Sequence, residues 1–201
     1  MKQSLKSLVI DTATSYLYIA LFDNDQVVEE IYQKGHNDHS VTLMDELQKM
    51  FSRHELKPSA IDRIIVGVGP GSYTGVRVGV VVAKMLGYSL HKQVYTISSL
   101  ALLASASKPG IVMAWIDARR KHGFIGMYKV TDDNVERIEA DIYTALDRYR
   151  KDNDYDFEQT EIKPNMEKLF HSGLLEEVQN IHQLAPMYLR KTEAEKNFNI
   201  K

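Results

Sequence analysis

Residues 66–79 read VGVGPGSYTGVRVG, with glycine at positions 67, 69, 71, 75 and 79. An apolar run of strand length precedes them at 61–68, and apolar residues at helical spacing follow over 74–90. The glycines therefore fall where a strand passes into a helix. Such a turn calls for residues that tolerate positive φ, and it leaves the first amides of the helix available to an anion. The position is that of a phosphate-binding turn, yet two standard versions are excluded. Gly75 is followed by Val76 and Arg77, where a Walker loop has Lys and Ser/Thr. The spacing Gly69-x-Gly71-x-x-x-Gly75 misses the dinucleotide fingerprint, and no Asp or Glu lies between Arg63 and Ile116 to hold a ribose. Two readings stay open. Asp11, Thr12 and Thr14 with Gly69, Gly71, Ser72 and Thr74 form a pair of phosphate-type loops, or the glycines only permit a tight turn and close packing.

The helix that follows carries Gly75, Gly79, Ala83 and Gly87 four residues apart, a ridge of small residues along which another helix can approach closely. Val76, Val78, Val80, Val81, Val82, Met85 and Leu86 surround them, so the helix is apolar on nearly every face. It should be covered on more than one side, by a second lobe or by a partner. The acid-free stretch holds Arg63, Arg77, Lys84, Lys92 and Lys108, which suits a nucleotide, RNA or an acidic partner, or simply a core segment with few carboxylates.

Upstream, residues 8–10 end at Asp11, residues 15–22 alternate as a second strand, Asn24-Asp25 supply a turn, and 26–33 form a third strand. This antiparallel meander delivers Asp11, Thr12 and Thr14 to a polar turn. Leu43, Met44, Leu47, Met50 and Phe51 predict an amphipathic helix over 40–55. A Ser, Ala, Pro and Gly cluster at 105–110 divides the chain into lobes 1–104 and 105–201. Beyond it the reading is strands at 111–116, 124–130 and 135–143, a short helix at 145–151, a loop at 152–160, and helical stretches at 166–170 and 174–181.

The chain has 201 residues, 44% of them apolar, with 25 basic and 27 acidic side chains for a net charge of -2. That is enough for a real core and argues against gripping nucleic acid by bulk charge. Cysteine is absent, which removes disulfides and thiolate metal sites. The opening MKQSLKSLVIDTATS has too short an apolar run for a signal or a membrane span, so a soluble, cytoplasmic protein is expected. No G-x-S-x-G elbow and no H-E-x-x-H pattern occurs, and His36 and His39 are the only close histidine pair, so neither a catalytic nor a metal constellation is assigned. Asp11 and Asp117 end strands; each suits a reactive carboxylate or a turn cap.

DTAT at 11–14, GPGSYTGVRVG at 69–79, SSLALLA at 98–104, DARR at 117–120 and PMYLR at 186–190 together resemble the TsaB (YeaZ) family, in order over nearly the whole chain. The resemblance implies an α/β actin-like (ASKHA, ribonuclease-H-like) fold of two related lobes. The second is expected to be smaller or to lack a strand, because 152–164 is short for the family. It implies a non-catalytic subunit that pairs with TsaD and is joined by TsaE, while TsaD transfers threonylcarbamoyl to the adenosine next to the anticodon of ANN-decoding tRNAs. ATP then belongs to the complex, with at most weak nucleotide binding here; tRNA is met only through the complex, and the chain alone is a homodimer. The positions of a metal-binding His-x-x-x-His pair in TsaD fall near Ser99 and Leu103, which cannot replace imidazoles. Family members associate through the glycine-rich helix and the one before it, which assigns Gly75, Val76, Gly79, Val80, Ala83 and Gly87, with His39, Leu43 and Leu47, to the interface. Asp117 and Arg119 are expected to be structural, tying strand ends together. The alternatives are an ATP-dependent small-molecule kinase or ATPase of the same fold, a peptidase role, and a free-standing interaction protein.

Overall fold

Period-2 alternation in the opening strands sends side chains to two different cores. The computed structural model describes residues 4–35 and 39–190, without the side chain of His39. In it, β1 (Lys6–Asp11), β2 (Tyr16–Asp23) and β3 (Gln26–Lys34) form the expected meander. Leu17, Ile19 and Leu21 of β2 face one core, and Tyr18, Ala20 and Phe22 face the other. Asn24 and Asp25 take left-handed φ, as a tight hairpin requires.

α1 (His39–Arg53) and α2 (Tyr73–Leu90) cover the first face, with β4 (Arg63–Gly67) and β5 (Gln93–Ile97) added parallel to β1. α3 (Ser99–Ser105) covers the second face, and a second sheet closes over it. That sheet comprises β6 (Gly110–Asp117), β7 (His122–Val130), β8 (Val135–Arg137), β9 (Ile142–Ala145) and, after α4 (Leu146–Asp152), β10 (Phe157–Gln159). α4 lies on its far side over Met113, Ile125 and Met127. The layers thus run helices, sheet, helix, sheet, helix. This mixed two-sheet α/β architecture is that of the ribonuclease-H-like fold. Among the described residues no helix is long and apolar enough to cross a membrane.

The structure departs from the sequence reading at four places. β5 and α3 lie in the stretch before residue 105 where no element was assigned. Residues 135–143 are two strands, because Asp141 turns inward to accept a hydrogen bond from the Tyr128 hydroxyl at 2.8 Å and interrupts the edge. Residues 157–159, read as loop, pair parallel with β6. Residues 174–181 are not a helix. Leu174 and Leu175 pack into one core and Val178 and Ile181 into the other, so the chain is stretched round the sheet edge as β11 (Glu176–Glu177) on β5. The first sheet is therefore ordered β11-β5-β4-β1-β2-β3, and the segment after residue 175 lies with it although it falls beyond residue 105.

Candidate functional site

The end of β1, the start of α2, the end of β6 and the last described residues enclose a cleft of about 1210 Å³. Thr14, Ser72, Thr74, Asp117 and Arg119 line it; Asp11, Thr12 and Gly69 do not. The structure therefore divides the phosphate-type loops inferred from sequence. Of the five glycines in the turn only Gly69 has positive φ, at 95°, so the turn itself explains one of them.

The others are explained by close approach. A Cβ on Gly75 would stand 2.1 Å from the Thr12 carbonyl oxygen, one on Gly71 2.3 Å from the Ala13 carbonyl oxygen, and one on Gly67 2.6 Å from the Asp11 carboxyl carbon. The Thr12 hydroxyl donates to the Gly75 carbonyl (2.7 Å) and accepts from the Gly79 amide (3.0 Å), bridging two groups that an α-helix joins directly. The Ser72 amide donates to the Ala13 carbonyl (2.7 Å), and the Ser72 hydroxyl caps the helix by accepting from the Gly75 amide (3.2 Å). Main-chain oxygens thus stand where a Cβ on Gly71 or Gly75 would lie, and of the loop residues named from sequence Thr14, Gly71, Ser72 and Thr74 line the cleft.

Asp11 is buried beneath this contact. Loss of water raises its pKa from 3.8 to about 6, against the lowering effect of hydrogen bonds from the Ala13 amide, the Ser99 hydroxyl and the Thr12 amide. Folding therefore favours the protonated acid: stability rises as pH falls through about 6 toward 3.8, opposite in sign to an ion-paired aspartate. Asp11→Asn removes that gain. Relative to the parent protein, its unfolding free energy is expected to fall by about 2 kcal/mol between about pH 7.5 and about pH 4.5. Urea titrations at both pH values measure this, and a difference that does not change with pH refutes it. Ser99 is buried and holds the Gly69 amide at 3.1 Å, while Leu103 sits in the second core.

At the opposite wall, the Asp117 carboxylate accepts from the Arg119 amide at 2.9 Å. The tie expected of Arg119 thus runs through its main chain and not its guanidinium, which is exposed. Arg119, Arg120 and Lys121 all take left-handed φ (65°, 52° and 62°), at about 1–2 kcal/mol for each L-residue. Sequence reading missed this turn, since no glycine or asparagine marks it. It also missed the rim opposite. There Arg77 donates to the hydroxyls of Tyr73 and Tyr188, 2.7 Å for Tyr188, and its guanidinium lies 3.8 Å from the Tyr73 ring centroid. Among the described residues no group of three His, Asp or Glu converges as a metal site would.

The structure packs the residues assigned to the interface within this chain. Gly75, Val76, Gly79, Val80, Ala83 and Gly87 are buried in the chain's own first lobe, and Leu43 and Leu47 face the same core. Gly79 lies on Thr12, and Gly87 on Val94 of β5. The reason is the meander: the β1 turn, not a second subunit, fills the groove beside the small residues. The opposite face of α2 stays open, with Val81 62%, Met85 47% and Tyr88 60% exposed, and Val41 and Met44 are exposed on α1, which packs against α2. His39 begins α1, and its side chain lies outside the described residues.

A family profile described as "TsaD: tRNA N6-adenosine threonylcarbamoyltransferase" matches residues 27–198. Among curated proteins, the chain is similar to the tRNA threonylcarbamoyladenosine biosynthesis protein TsaB of Bacillus subtilis, 30% identical over 218 aligned residues that cover 94% of this chain and 95% of that one. The protein of the same name from Escherichia coli is 28% identical over 135 residues, 65% of this chain and 58% of that one. Among solved structures, YeaZ from Pseudomonas aeruginosa superposes with a TM-score of 0.78 at 22% identity, over 92% of this chain and 100% of that one, and shares the fold.

Proposed function

The chain belongs to the TsaB (YeaZ) family, and on that premise we propose that it is a non-catalytic subunit supporting a TsaD-type transferase in threonylcarbamoyladenosine formation on tRNA. The observation that carries this reading is the outer face of α1 and α2. Val81, Met85 and Tyr88 recur along one exposed side of a helix whose other side is already sealed, and Val41 and Met44 are exposed on the helix packed against it. A soluble lobe gains nothing from such a face alone, whereas a helix pair on a sister subunit of the same fold would bury it. Self-association through the same face follows for the isolated chain.

The proposed role needs no cofactor of this chain's own. ATP would then be used by TsaD and TsaE. Reconstitution on unmodified tRNA with TsaD, TsaE, ATP and a threonylcarbamoyl donor tests the role. Modified adenosine is expected only when this chain is present, and modification at full rate in its absence refutes the proposal.

A further inference from the structure

We propose that the mouth of the cleft, from the left-handed turn Arg119-Arg120-Lys121 across to Tyr73 and Tyr188, is a contact for an unpaired segment of RNA. The choice of RNA as the polyanion rests on the tRNA role proposed above; the surface itself is argued from its charge and its rings.

The three basic side chains of the turn are exposed at consecutive positions. Their backbone is held without their help: Asp117 accepts from the Arg119 amide, the Ala118 amide donates to the His122 carbonyl at 2.9 Å, and the Lys121 carbonyl accepts from the Leu146 amide at 3.0 Å. Four other arginines are ion-paired, Arg53 with Glu29, Arg63 with Asp25, Arg148 with Asp152 and Arg150 with Glu158. Among the described residues, Arg119, Arg120 and Lys121 make no ion pair. Three adjacent like charges on a strained turn repel one another in the free protein, and a polyanion lying across them turns that repulsion into attraction.

Flat rings flank the charges. His122 stacks on Tyr143 at 5.1 Å between centroids and 14° between planes, and the Arg190 guanidinium lies 5.4 Å from the Tyr143 ring. On the facing wall Tyr73 and Tyr188 are half exposed, 5.2 Å apart, with Arg77 bonded to both. Cations interleaved with accessible rings suit bases that are free to stack, which a duplex does not offer. With a net charge of -2 overall, binding by the protein alone should be weak and strongly salt-dependent.

The test is fluorescence anisotropy of the full chain with a labelled single-stranded RNA oligomer at low salt, beside duplex RNA of matched composition, a heparin fragment and ATP as competitors. Single-stranded RNA is expected to bind most tightly. The triple variant R119Q/R120Q/K121Q should lose about tenfold or more in affinity and flatten the log–log salt slope by about 2, as three phosphate contacts require. Tyr188→Ala should lose roughly tenfold through stacking. Arg119→Lys with Arg120→Lys should bind within about threefold of the parent and melt at the same temperature, which separates charge from folding. No binding, equal binding of duplex or heparin, full displacement by ATP, or an unaffected triple variant would each overturn the proposal. The assay contains no TsaD and reads no modification, so its failure is distinct from a failed reconstitution.

Discussion

Gly75→Ala is expected to cost the isolated protein about 3 kcal/mol, and Gly75→Leu to prevent folding. The added Cβ would lie 2.1 Å from the Thr12 carbonyl oxygen, a main-chain atom at the end of β1. The turn cannot retreat cheaply, because the Thr12 hydroxyl is bonded to both the Gly75 carbonyl and the Gly79 amide, and the next residue's carbonyl receives the Ser72 amide. Overpacking of this kind costs roughly 1–3 kcal/mol where side chains can adjust, and a backbone obstacle puts Gly75 at the upper end. The gain of about 1 kcal/mol in helix propensity from glycine to alanine works the other way and is too small to offset it. Ser89→Ala, exposed on the same helix, should stay within about 0.5 kcal/mol of the parent and serves as the control. Urea unfolding decides the matter. If Gly75→Ala were as stable as the parent while losing TsaD, the small-residue ridge would be an interface after all.

Val81→Asp combined with Met85→Asp is expected to do the reverse, leaving the fold intact and disrupting association. Both side chains point away from the core, so the change in unfolding free energy should be small, about 0.5 kcal/mol per site. In the proposed complex each carboxylate would enter a desolvated apolar face, at several kcal/mol for an unpaired charge. Association with TsaD, and of the isolated chain with itself, should weaken by at least about 100-fold, equivalent to roughly 3 kcal/mol. Sedimentation and calorimetric titration measure both. Unchanged affinity for TsaD in a folded double variant would remove α2 from the interface.

These two predictions separate what periodicity can report from what it cannot. The apolar character of α2 was plain in residues 74–90, and so was its need to be covered on more than one side. Which side meets the chain itself was not, because glycine at 75 and 79 reads the same whether the approaching backbone is a partner helix or the β1 turn sixty-odd residues earlier. The same holds for 174–181, where leucine and valine spacing matches a helix as well as it matches a strand wrapped round a sheet edge between two cores. The left-handed turn at 119–121 carries no local signal, since arginine and lysine seldom adopt that backbone; bonds among residues 117–122 and one from the distant Leu146 amide hold it there.

By itself the amino-acid order determined the meander that presents Asp11, the strand-to-helix passage through the glycine turn, the α/β class, and the family, because these depend on local spacing and on motifs read along the chain. Tertiary structure alone decided that the Thr12 hydroxyl enters α2, that the small-residue ridge is closed inside the first lobe, and that Val81, Met85 and Tyr88 are left facing water. The reason is that burial is a property of what arrives from elsewhere in the chain: a side chain's polarity says that it must be covered, and only the packed fold says by what.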